Sequence, residues 1–175
     1  MAQISKLSRR YRTKEEICQD IAFVLDAPLH YGTKFAVIAD AAWVWTEFHG
    51  KYVGCQYWTG LALAVYQRDG KKAKLKHEHV VPRRVVTKML FALDKPTPEA
   101  VREICERFLI GMVVTPEEDK VLSVYFSKDM PPEFYDPSSP DYLDPWLRYR
   151  RHPEIRFTEV HRPSTGDEPL SSEST

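Results

Sequence analysis

The segment LKHEHVVPRR, residues 75–84, sets three groups able to bind metal or move protons side by side: His77, Glu78 and His79. If this is a strand end, alternation puts His77 and His79 on one face and Glu78 on the other. Pro82 then ends the strand and starts a helix carrying Arg83, Arg84 and Lys88. The plain alternative is three exposed polar residues on an edge strand. A second stretch, MVVTPEEDKVL at residues 112–122, reads as a short strand running into a helix. Thr115 and Glu118 have capping-box spacing, and Pro116 occupies the first helical position. Glu118 or Asp119 then falls in the first turn of that helix.

Outward from these two stretches the pattern is mainly helical. Thr13 and Glu16 have capping-box spacing ahead of Ile17, Ile21, Val24 and Leu25. Phe35, Ile38, Ala42, Trp45 and Phe48 predict a second helix over about 33–48. Trp43 cannot share the inward face of Trp45, because two residues subtend about 200°; it is exposed or covered by the proline- and aromatic-rich arm described below, and base stacking by Trp43 or Tyr57 is a minor alternative. Trp58, Leu61, Ala62 and Val65 predict a third helix, ended at Gly70. Thr97-Pro98-Glu99 starts another, with Val101, Ile104, Cys105, Phe108 and Leu109 on one face. Strand signals are confined to Val80-Val81 and Met112–Val114. The fold class expected is therefore α+β, mainly helical.

Residues 1–128 read as one globular domain. Seven of the thirteen prolines fall between Asp129 and Pro163, together with Phe134, Tyr135, Tyr142, Trp146 and Tyr149. So many aromatics predict that residues 129–162 form an irregular arm packed on the core rather than a free linker. Residues 163–175, rich in Ser, Glu and Pro, read as a disordered tail.

Twenty-five basic and twenty-five acidic residues cancel, which excludes a histone-like polycation. The charges are nevertheless segregated. Residues 68–88 carry eight basic groups against Asp69 and Glu78, a net of +6, whereas residues 129–145 carry five acids and no base. No apolar run reaches the roughly 18–20 residues that span a bilayer, so no membrane association is expected. No signal core follows the basic N-terminus, and the three cysteines form no CxxC pair. Both features suit a reducing, cytoplasmic setting. Dinucleotide, P-loop, GxSxG and HExxH motifs do not occur.

Glu78-His79-Val80-Val81-Pro82, followed by a strand-to-helix element, resembles the HNH, or His–metal finger, endonuclease superfamily. The resemblance implies a small ββα-metal-like finger over about residues 77–122, its two strands separated by a helical insertion. It also implies a metal-dependent endonuclease, a hydrolase of phosphodiester bonds. By that likeness His79 would deprotonate the attacking water, and Glu78 and Asp119 would bind a divalent metal. Carboxylate oxygens suit magnesium or manganese in preference to zinc. A zinc site from His77, His79 and Asp119 is the lesser alternative, and His77 or Glu118 could replace a named ligand. Lys72, Lys74, Lys76, Arg83 and Arg84 would hold phosphates of a nucleic-acid partner, DNA in preference to RNA. The chain departs from the family pattern in two respects. About 33 residues separate the two strands, and no asparagine occurs to hold the base histidine. These departures keep a second expectation open: a non-catalytic protein with a degenerate finger. Such a protein would bind nucleic acid by its basic segments or a protein partner by its acidic, aromatic arm.

Overall fold

Side-chain caps start the helices. In α1 (Lys14–Asp26) the Thr13 hydroxyl accepts from the Glu16 N–H at 3.2 Å, and Glu16 accepts in return from the Thr13 N–H. Then come α2 (Tyr31–Thr46), the short strand β1 (Tyr57–Thr59) and α3 (Gly60–Asp69), which is capped by Thr59. They are followed by β2 (Lys76–His79), α4 (Arg83–Phe91) and α5 (Pro98–Phe108). After β3 (Gly111–Val114) and α6 (Pro116–Phe126), a single turn α7 (Leu147–Arg150) and a last strand β4 (Phe157–Glu159) complete the elements. This computed structural model describes residues 13–52 and 54–159. The basic stretch before Thr13 and the expected tail lie outside those residues.

The chain is a mainly helical α+β protein built round a four-stranded mixed sheet of order β2-β3-β1-β4. The segments on either side of the helical insertion pair directly: β2 lies antiparallel to β3, with His77 opposite Val113 and His79 opposite Gly111. β1 runs parallel to β3, and β4 runs antiparallel to β1. Two boundaries differ from the sequence reading. Trp58 belongs to β1 and not to the following helix, which starts only at Gly60. Val80 and Val81 lie just past the end of β2, where both are fully buried in the core. Hydrophobicity marked them as strand, yet their role is to fill two different clusters.

Alternation divides the sheet between those clusters. Met112 and Val114 join Val80, Leu122, Tyr149 and Ile155 on one face. Val113 and Trp58 join Cys55, Ala62, Leu63 and Leu75 on the other. The largest cluster gathers α1, α2, α4 and α5 around Ile17, Ile21, Ile38, Trp45, Val86, Leu90 and Phe108. Met130, Phe134 and Leu147 from beyond Asp129 complete it. Of the arm's aromatics Phe134 and Tyr149 are buried, whereas Tyr135 and Tyr142 are 48% and 43% exposed. The Tyr135 hydroxyl donates to Asp129. No helix among the described residues is long and apolar enough to cross a membrane.

Gly111 marks the tightest point of the sheet. A Cβ there would lie 3.0 Å from Cys55 Sγ, 3.0 Å from His77 Nε2 and 3.3 Å from Thr46 Cβ. Gly111→Ala is therefore expected to cost about 1–3 kcal/mol through overpacking, read by urea denaturation. A variant of wild-type stability would show that β2, β3 and α2 part easily here.

Candidate functional site

The short β2 ends in a cavity of about 370 Å³. Its walls include His77, Glu78 and His79 from β2, Arg83, Arg84 and Thr87 from α4, and Asp119 and Ser123 from α6. Trp43 closes one side from α2, and Lys128 lies just past α6. The candidate residues His79, Glu78, Asp119, Arg83 and Arg84 thus come together. Lys72 and Lys74 do not line the cavity. Nor does Lys76, which starts β2 about 10 Å from His79, three residues at the usual strand rise.

His77 and His79 share a face of β2, their rings stacked at 4.9 Å and 19°. Trp43 packs against both, at 4.9 and 5.2 Å, and the Arg83 guanidinium sits 4.6 Å from the Trp43 ring. These residues are not the exposed row that an ordinary edge strand would present: His79 is 7% exposed. The last turn of α2 holds both imidazoles. His77 Nδ1 meets Glu47 Oε1 at 3.0 Å, and His79 Nε2 meets Thr46 Oγ1 at 3.1 Å. Burial holds His77 below the usual imidazole range, although Glu47 opposes that. Burial holds His79 well below it, helped by His77, Arg83 and Arg148.

Glu78 turns to the other face and meets the arm. Arg148, 1% exposed, donates to Glu78 Oε1 and to the His79 carbonyl at 3.2 Å, and a second guanidinium nitrogen reaches the Phe126 carbonyl at 2.9 Å. The Tyr149 hydroxyl donates to Glu78 Oε2 at 2.9 Å. Burial raises Glu78 above the usual carboxylate range, and Arg148 and Tyr149 pull against it. Burial and Glu78 together push the Tyr149 phenol well up, so it stays a donor.

The divalent metal implied by the resemblance would need free donors from this set. Both Glu78 oxygens are engaged, one by a guanidinium that already supplies the opposite charge. Glu118 commits one oxygen, Oε2, to its cap and to the Thr59 hydroxyl at 2.7 Å. His77 Nε2 is buried without a hydrogen-bond partner, against Gly111. Among the described residues no group of three or more His, Cys, Asp and Glu side chains is arranged to hold a metal ion. As it stands, Glu78 has no free oxygen to offer a cation, whereas Asp119 lines the cavity.

Sequence reasoning missed Thr46, Glu47, Lys128, Arg148 and Tyr149. Only the Arg148-Tyr149 pair left a trace, in the density of arginines and aromatics between residues 146 and 151. Trp43 was placed on the outward face of its helix, which is the face that meets the site.

The two histidines also set a pH dependence. Each is held below the unfolded value of about 6.5, so unfolding takes up protons. Their contribution to stability is present above that value and lost as the pH falls through it, by up to about 1.4 kcal/mol per unit for each ring. Raised Glu78 acts with the opposite sign, losing stability as pH rises from about 4.5. The clean measurement is therefore a difference between proteins. His79→Gln is expected to flatten the fall in urea stability between pH 6.5 and 5.5, and identical slopes would show that His79 titrates normally. Compared with known proteins, the chain matches no family model, no curated sequence and no solved structure.

Proposed function

We propose that this chain binds nucleic acid through its phosphate backbone, at the cavity beside His79, on a frame of the His–metal finger kind. The observation that carries the reading is the charge balance of the cavity wall. Arg83, Arg84 and Lys128 line it, while Glu78 is neutralised by Arg148. That leaves Asp119 as the opposing charge among the lining residues. Guanidinium groups offer paired donors to phosphate oxygens, and the polar hydroxyls of Ser123 and Ser127 line the same wall. The lysines of residues 71–76 lie to one side, where they would extend the contact along the backbone without entering the cavity.

Binding of labelled DNA and RNA oligonucleotides over a salt series tests the reading. Removing both arginines (Arg83→Ala with Arg84→Ala) should reduce the log–log salt slope by about 2 and weaken binding on every sequence alike. Absence of binding at low salt, or a slope unchanged in the double variant, would overturn it.

A second reading, metal-dependent cleavage by an HNH-like endonuclease, is favoured by one specific observation. His79, Glu78 and Asp119 reach a single cavity, and α6 follows the antiparallel β2–β3 pair. Nicking of nucleic acid in magnesium or manganese, abolished by His79→Ala in a folded protein, would establish it. That result requires Glu78 to leave Arg148.

A further inference from the structure

The two stacked imidazoles carry their protons on opposite nitrogens. Glu47 is a carboxylate acceptor, so His77 donates to it from Nδ1. The His79 case turns on Thr46. Its hydroxyl has one hydrogen, and the Trp43 carbonyl, three residues back in α2, lies 3.0 Å away to take it beside the Glu47 N–H. The same oxygen lies 3.1 Å from His79 Nε2; with its hydrogen on the Trp43 carbonyl it accepts there, and Nε2 carries the ring proton.

We infer that Thr46 is the positioning residue of this cavity: it holds His79 as the Nε2–H form and turns Nδ1, an accepting nitrogen, to whatever the cavity binds. The groups facing the ring are His77 from β2, Arg83 from α4 and Arg148 from α7, all disfavouring a second proton, with Trp43 against its face. An accepting nitrogen repels a bare phosphate oxygen and welcomes a proton donor. The cavity therefore asks for a phosphate flanked by a hydroxyl or a held water, with the cations taking the phosphate and His79 taking the donor. This consequence for ligands rests on the phosphate-binding reading above, whereas the tautomer rests on geometry alone. Thr46 touches no ligand; it acts through His79.

Nitrogen-15 NMR of the imidazoles in the full chain, without ligand at pH 7.5, separates the two. Wild-type protein should show His79 with protonated Nε2 and bare Nδ1, and Thr46→Ser should keep that pattern. Thr46→Val, similar in shape but unable to accept, should lose the preference for Nε2–H. A wild-type spectrum with protonated Nδ1 or a doubly protonated ring overturns the inference, whatever happens in the variants. An unchanged tautomer in a folded Thr46→Val does the same. On oligonucleotides, Thr46→Val should weaken binding about tenfold, the effect of one lost hydrogen bond of some 1.4 kcal/mol, with recovery in Thr46→Ser. Unaltered affinity in Thr46→Val would overturn the ligand part. If wild-type protein binds no nucleic acid yet shows the expected tautomer, the proposed function falls and the positioning role stands.

Discussion

Arg148→Met is expected to destabilise the protein by about 3–5 kcal/mol, the range for removing one partner of a buried ion pair. The guanidinium does more than neutralise Glu78. It ties the end of α6, through the Phe126 carbonyl, to the end of β2, through the His79 carbonyl. Its loss leaves a buried carboxylate whose remaining hydrogen-bond partner among the described residues is the Tyr149 hydroxyl. Burial would then push Glu78 up further, and taking on a proton becomes the cheaper state. The destabilisation should accordingly be smaller at pH 5 than at pH 8, measured by urea denaturation. Adding Glu78→Gln should restore part of the loss, because a neutral amide no longer needs the cation. A loss below about 1 kcal/mol at both pH values would mean that the pair is solvated in solution.

Phe134→Ala should cost a comparable amount, about 3–5 kcal/mol, from lost burial and the cavity left behind. Phe134 is fully buried and meets Phe108 of α5 edge-to-face at 6.0 Å. Its backbone carbonyl also accepts from the Leu143 N–H at 3.0 Å. Leu143 has φ 53°, a left-handed conformation that costs a leucine about 1–2 kcal/mol. Arg107 donates to the Leu143 carbonyl at 3.1 Å, so that turn is held from both sides. The arm thus has two anchors, Phe134 in the helical core and Arg148 at the sheet. Hydrogen exchange over residues 130–149 should rise in Phe134→Ala more than exchange in α5. Uniform change across the protein would show a single cooperative unit with no separable arm.

The helices were readable because their instructions are local. A capping box needs residues three apart, and proline at the first helical position needs only itself. A capping box begins α1 and α6, and proline begins α5 and α6. Two of the strands were not readable for the same reason. β1 and β4 have three residues each, too few for an alternation, and their pairing partners are set by the fold. The site divides similarly. Glu78 and His79 stand together in a recognisable run, and Asp119 and the two arginines follow from helix starts. Thr46, Glu47, Arg148 and Tyr149 come from 30 to 71 positions away, and no short pattern marks a residue whose partner is that remote. Lys72, Lys74 and Lys76 stand close to His79 in sequence but outside its cavity, because Lys72 and Lys74 precede β2 and Lys76 begins it.

The parallel pairing of β1 with β3, and the late return of β4 to β1, also governs the order in which the molecule can be made. When residues up to Phe126 have left the ribosome, β1 still has an open edge and Glu78 still lacks its cation. Both wants are met by a stretch of a dozen residues, Arg148 to Glu159. Until it arrives, the nascent chain presents unpaired strand groups of the kind that recruit other chains. Lesions in that short stretch should therefore show first as poor yield in cells, at positions remote from the histidines in sequence.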